Sequence, residues 1–210
     1  SEKETTRYSW SEVIRYRQTW IITSCRLITD WVWWFFLFWV PDYLEKYFEV
    51  NIKELVLPVA IIYFTAAFGG IMGGWLSSRF ISMGKEIRFA RTITILICAL
   101  CVVPTISLGY VKNMYLATAI IALAAAAHQG WASNIFTVVS DIFPKNAVAS
   151  VIGINGAVGS AGGALAAIIT GKLLSDMNNY FVIFFMAGIS YLIAWSILRF
   201  FIDFKKVSTN

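Results

Sequence analysis

Charge is scarce in this sequence. Asp, Glu, Lys and Arg together make 14% of its 210 residues, where an ordinary soluble domain carries about a quarter. So little charge cannot coat a water-facing surface, which excludes the soluble globular class, and 59% hydrophobic residues with a mean hydropathy of +0.69 point to a membrane protein. Cysteine is scarce too. Of the three present, Cys98 and Cys101 have the C-x-x-C spacing of a metal or redox pair. Both lie inside an apolar run with no second ligand pair nearby, so they read as small hydrophobic fillers, and no cofactor is expected. A secretory leader is also missing from residues 1–18, which are polar and charged with no apolar run behind a basic start. With Ser-Glu-Lys in place of an initial Met, the chain reads as a fragment or a processed product.

Apolar runs dominate the rest. Behind a polar lead (1–19), in which Trp10, Val13, Ile14 and Arg17 suggest a short amphipathic helix at the membrane surface, six spans are expected at 20–43, 55–78, 92–111, 114–140, 147–173 and 180–203, with a tail at 204–210. The fold class is therefore an all-α membrane protein with six transmembrane helices in a lipid bilayer. Nine Trp within 16% aromatics suit interfacial belts and packed bundles. The net charge of +5 does not call for a nucleic-acid partner, because the basic residues sit between spans. One set of flanks holds Lys3, Arg7, Arg15, Arg17, Arg79, Lys85, Arg88, Arg91, Lys145, Arg199, Lys205 and Lys206; the other holds Lys46, Lys53, Lys112 and Lys172. The positive-inside rule then predicts both termini in the cytoplasm.

Several polar residues fall at membrane depth. In 114–141, Gln129, Ser133, Asn134, Thr137 and Ser140 occupy an arc of roughly 140° on a helix turning about 100° per residue, and His128 lies about 100° to the far side of Gln129. Lipid cannot satisfy such groups; they face either a water-filled cavity or neighbouring helices that they bond. Arg26 and Asp30, four apart in the first span, share a face and can pair, as part of a coupling or substrate site or as a buried ion pair joining two helices. Gly69 with Gly73, and Gly70 with Gly74, have the spacing that lets backbones approach. Pro104 should kink the third span. The fifth span is rich in glycine, and its Asn155 serves either as a ligand group or as a helix–helix hydrogen bond. The last span, almost purely apolar, reads as peripheral.

These residues carry a resemblance. Arg26-x3-Asp30-Trp-x-Trp-Trp-Phe-x2-Phe-Trp39-x-Pro41-x-Tyr43-Leu resembles the seventh helix of the anion:cation symporter branch of the major facilitator superfamily. His128-Gln-Gly-Trp-x-Ser-Asn134 through Asp141-Ile-Phe-Pro-Lys145, then Val151-Ile-Gly-Ile-Asn-Gly156, is similar to its tenth and eleventh helices, closest to hexuronate transporters. The resemblance implies the C-terminal six-helix half of a transporter, built as a nested 3+3 inverted repeat, whose partner is an N-terminal half of the same protein. It implies a sugar-acid substrate bound between the halves, proton symport by alternating access, and the bacterial inner membrane. The charged grip on the carboxylate lies largely in the N-terminal half of such proteins. Here Gln129, Ser133, Asn134, Thr137 and Asn155, with Trp34, would contact sugar hydroxyls, Arg26 and Asp30 would support or tune the site, and His128 is a candidate proton site. Gly74 to Lys85 resembles the superfamily's cytoplasmic loop, but Ser78 stands where an acidic residue is usual. Asn155 departs as well, since hexuronate transporters more often have Gly there. On its own, such a half would pair with a second copy in parallel or leave an open groove.

Two other classes fit parts of the pattern. Ser160, with His128 one helix earlier, would suit an intramembrane hydrolase, although no third group or oxyanion motif accompanies them. A channel or scaffold role needs only the spans.

Overall fold

A computed structural model describes residues 8–177 and 180–207. Lys3 and Arg7 of the basic flank, the first seven residues of the lead and the last three of the tail lie outside the described residues.

Long apolar runs with few interruptions give helices. They are α1 (Trp10–Val13), α2 (Arg17–Phe48), α3 (Ile52–Ser82), α4 (Ile87–Val102), α5 (Met114–Ile142), α6 (Lys145–Met177) and α7 (Tyr180–Phe201). Their ends are chemically marked. The Asn51 side chain accepts from Lys53 N and Glu54 N to start α3, while Glu54 accepts from Asn51 N at 3.1 Å, a reciprocal cap. Asn113 caps α5 by accepting from Leu116 N. Proline shapes α4: Pro104 lacks the N–H that would continue the α-ladder, and the chain tightens into a 3₁₀ segment, Val103–Gly109. The expected kink thus appears as a change of helix type.

Among the described residues, five segments are long and apolar enough to cross a membrane: Arg17–Phe48, Ile52–Ser82, Ile87–Gly109, Lys145–Leu174 and Tyr180–Phe201. α5 is as long as these, but its polar residues dilute its hydropathy below theirs. At about 1.5 Å per residue, the 32 residues of α2 reach well past a bilayer core of about 30 Å, so this helix projects beyond the core or tilts.

The principal helix pairings come in mates. α3 packs on α5 as α2 packs on α6, α4 packs on α5 as α7 packs on α2, and α4 and α7 meet each other. Two three-helix units, α2–α4 and α5–α7, exchanging equivalent partners produce this pattern. Absent side chains fix the closest crossings. A Cβ at Gly69 would lie 2.1 Å from the Ala126 carbonyl oxygen, and one at Gly73 would lie 2.4 Å from Gly130 Cα. Gly69 and Gly73 therefore let α3 and α5 touch backbone to backbone. The pair expected at Gly70 and Gly74 does no such work: a Cβ at Gly74 meets nothing within 4 Å.

The described part of the lead docks on the bundle. α1 has only four residues, Val13 is buried, and Trp10 lies against Gly153 of α6. Tyr8 N donates to Asn146 O, Ser150 Oγ donates to Tyr8 O, and the Thr19 hydroxyl donates to Val13 O. From the other terminus, Val207 N donates to Ile142 O. Both end segments thus tie down the α5–α6 turn. The last helix is also less peripheral than its composition suggests, because Phe184, Ala187, Tyr191, Ala194 and Leu198 are buried.

Candidate functional site

The polar interior centres on the crossing of α2 with α5 and α6. Arg26 Nη2 and Asp30 Oδ2 form an ion pair at 2.7 Å, one turn apart on α2, with side chains 12% and 9% exposed. Above it, the Arg26 guanidinium sits 4.9 Å from the centre of the Phe136 ring on α5. Below it, Gly159 makes room for the carboxylate, since a Cβ there would be 2.2 Å from Asp30 Oδ2. The pair is incompletely satisfied: Arg26 Nε and Nη1 and Asp30 Oδ1 are buried without a partner. A purely structural buried pair offsets its desolvation only when the remaining donors and acceptors are also bonded.

A second cluster adjoins it. The Tyr191 hydroxyl lies 2.6 Å from His128 Nδ1 and 3.3 Å from the Thr29 carbonyl, and Trp33 stacks on the His128 ring with centroids 5.1 Å apart. Tyr63 of α3 meets Trp33 edge-on and donates to Leu37 O. His128 is thus enclosed between α2 and α7. Ser160 stands on the exposed side of α6, so nothing here assembles a serine–histidine pair.

The remaining expected site residues divide in two. Gln129, Ser133 and Thr137 lie along a partly exposed stripe of α5 that also carries the more exposed Phe136 and Ser140. Among the described residues, the Gln129 amide and the Ser133 hydroxyl make no hydrogen bond, while Thr137 Oγ1 donates to Ser133 O at 2.7 Å. Gly70 of α3 flanks the stripe; a Cβ there would stand 3.5 Å from Ser133 Oγ.

Asn134, Asn155 and Trp34 are placed otherwise. Asn134 is fully buried and turned to α3, its Nδ2 donating to Gly73 O and Gly130 O, both at 2.9 Å. Asn155 is fully buried and accepts from the Thr23 hydroxyl of α2. Both asparagines act as helix–helix ties in this arrangement, not as members of the exposed stripe, and each keeps one unpartnered amide atom, Asn134 Oδ1 and Asn155 Nδ2. The Trp34 indole fills the notch at Gly163 and stacks on Phe38, so it packs α2 against α6. The expected site residues did not include Phe136, Trp33 or Tyr191. Phe136 carried a positional signal, lying about 20° beyond the Gln129 edge of the polar arc, and Trp33 stands in the aromatic run 31–39.

A further ion pair closes one end of the bundle. Arg91 Nε donates to Asp141 Oδ2 at 2.9 Å and its Nη1 to Ser77 Oγ at 2.6 Å, joining α3, α4 and α5. Asp141 supplies a carboxylate at this edge, where Ser78 offers none.

Residues 1–167 match the sequence profile of the Major Facilitator Superfamily. The chain is 26% identical over 199 residues to the hexuronate transporter of Escherichia coli K12, covering 92% of this chain and 46% of that protein. It is 27% identical over 175 residues to the probable galactarate/D-glucarate transporter GarP of the same strain, covering 83% and 39%, and 24% identical over 175 residues to the D-galactonate transporter of Escherichia coli O6:H1, covering 83% and 40%. The chain spans less than half the length of these curated relatives.

Proposed function

Because this chain belongs to the major facilitator superfamily, a family of transporters and not of enzymes, we propose that it forms one half of a secondary carrier for sugar acids, driven by proton symport and alternating access. Its partner is a second six-helix unit covering the α5 stripe, with substrate held between the two. The observation that carries the reading is that Gln129 and Ser133 are unbonded polar groups on a partly exposed stripe of an otherwise apolar helix. Lipid would penalise them, whereas hydroxyl-bearing substrate and water would satisfy them. Relatives named for hexuronate, galactarate/D-glucarate and D-galactonate support the substrate class.

Roles follow from placement. Gln129 and Ser133 bond sugar hydroxyls, with Thr137 adding an acceptor. Phe136 presents a flat apolar face to the sugar and covers Arg26, whose free Nε–H and Nη1–H can donate to a substrate carboxylate once the ring moves aside. Asp30, released from Arg26 by that anion, is then the group that takes up the coupled proton. His128 and its Tyr191 partner hold the wall behind, and Asn134 and Asn155 set helix spacing. The basic flanks support an orientation with both termini in the cytoplasm of a bacterial inner membrane.

Gln129→Ala tests the site. Uptake of labelled glucuronate by cells expressing the intact protein is expected to show an apparent KM raised about tenfold, the usual worth of one or two hydrogen bonds to a ligand, with surface expression unchanged. A wild-type KM would remove Gln129 from the site.

A further inference from the structure

The outer face between α4 and α7 holds a cleft of about 480 Å³, away from the polar interior. Its floor is apolar: Phe89, Ile93 and Leu96 descend α4 at one-turn spacing, and Trp195 of α7 faces them. From Phe89 to Leu96 the helix falls about 10 Å. The mouth carries Arg88 and Arg199, with Glu86 on the rim. Both arginines are exposed, and neither forms an ion pair among the described residues. The other polar groups in the cleft are already used: Thr92 Oγ1 donates to Arg88 O at 2.6 Å, and Thr92 O accepts from Trp195 Nε1 at 3.1 Å. Two guanidinium groups against one carboxylate therefore set the character of the mouth.

The mouth of the cleft lies at one edge of the bundle. α4 begins, and α3, α5 and α7 end, at one edge of the bundle, so Arg88 and Arg199 share the edge with Arg79, Lys85 and Lys145. On the same two helices Leu100, Ile193 and Phe200 are exposed, as on a lipid-facing wall. A cationic mouth at headgroup level over an apolar channel running inward matches one kind of ligand, a phosphate carrying acyl chains.

We propose that the α4–α7 cleft binds an anionic phospholipid, its phosphate between Arg88 and Arg199 and an acyl chain along Phe89, Ile93 and Leu96 against Trp195. A soluble phosphate would use the mouth and leave the apolar floor unfilled. A zwitterionic lipid would satisfy Glu86 but leave an excess of positive charge.

The test is native mass spectrometry of the intact protein in mild detergent, offered phosphatidylglycerol and phosphatidylethanolamine in equal parts. Phosphatidylglycerol is expected to be retained in preference. Affinity should fall about fivefold in Arg199→Gln and about thirtyfold when Arg88→Gln is added, at the usual worth of an interfacial arginine near an anionic headgroup. Arg79→Gln, at the same edge but outside the cleft, should retain lipid as the wild type does. Equal retention of both lipids, an unchanged affinity in Arg199→Gln, or displacement of phosphatidylglycerol by inorganic phosphate at matched concentration would each overturn the proposal, the last by pointing to a free-anion site.

Discussion

Asp30→Asn is expected to cost the protein about 3–5 kcal/mol, the usual penalty for removing one partner of a buried ion pair, read as a large drop in thermal stability in detergent. The reason lies in what remains. Arg26 sits at 12% exposure under Phe136, its one ionic partner among the described residues is Asp30, and two of its nitrogens already lack acceptors. Neutralising the carboxylate strands a guanidinium in a site built around a charge pair. Removing both charges with Arg26→Leu and Asp30→Leu should restore most of the loss, because apolar replacement of a whole buried pair is often neutral or stabilising. Uptake separates the two roles of the pair. If Arg26 receives substrate and Asp30 the proton, the double variant folds and does not transport. A double variant that folds and transports would make the pair structural only.

The second large effect is expected at the α3–α5 crossing. Gly69→Ala and Gly73→Ala should each lose about 1–3 kcal/mol through overpacking, whereas Gly74→Ala should leave stability unchanged. The obstruction at Gly69 is the Ala126 carbonyl at 2.1 Å, and at Gly73 it is Gly130 Cα at 2.4 Å. Neither is a side-chain tip that can swing away, so the helices themselves must separate. Separation also stretches the bond from Asn134 Nδ2 to Gly73 O, which adds an unmet donor to the cost. Thermal unfolding of the three variants side by side checks this. Equal stability of all three would mean that the crossing is looser than the backbone contacts imply.

Helix geometry made much of this readable beforehand. The i, i+4 spacing of Arg26 and Asp30 required a shared face, and the ion pair occupies it. The glycine repeat announced a close crossing, but spacing alone could not distinguish Gly69 and Gly73, which touch α5, from Gly70 and Gly74, which present the neighbouring strip of the same helix. The α5 arc shows the limit most clearly. Taking Gln129 as zero, Ser140, Ser133 and Thr137 fall at about 20°, 40° and 80°, while Asn134 falls at about 140°. The outlier is the one that turns to α3. Phe136, at about −20°, lies in the stripe, and a search for polar groups alone passes over it.

Long-range partners were beyond a linear reading. Asn155 finds Thr23, 132 positions away, and His128 finds Tyr191, 63 positions away. No local pattern marks either pairing. Tyr191 lies in a span whose apolar composition suggested the periphery, because composition reports how a helix suits lipid on average and not which of its faces enters the core. Pro104 announced a break in the α-ladder, but not that the chain would continue as 3₁₀.

Whether the α5 stripe lines an aqueous passage is tested most directly by cysteine accessibility in the intact protein. Ser133→Cys and Asn134→Cys, neighbours in sequence, would each be exposed to a membrane-impermeant thiol reagent, with the labelling of unmodified protein, which carries Cys25, Cys98 and Cys101, as the baseline. The expected result is rapid labelling at position 133, slowed by added glucuronate, and none above baseline at position 134. Inert cysteine at 133, or labelling there that substrate does not slow, would contradict it.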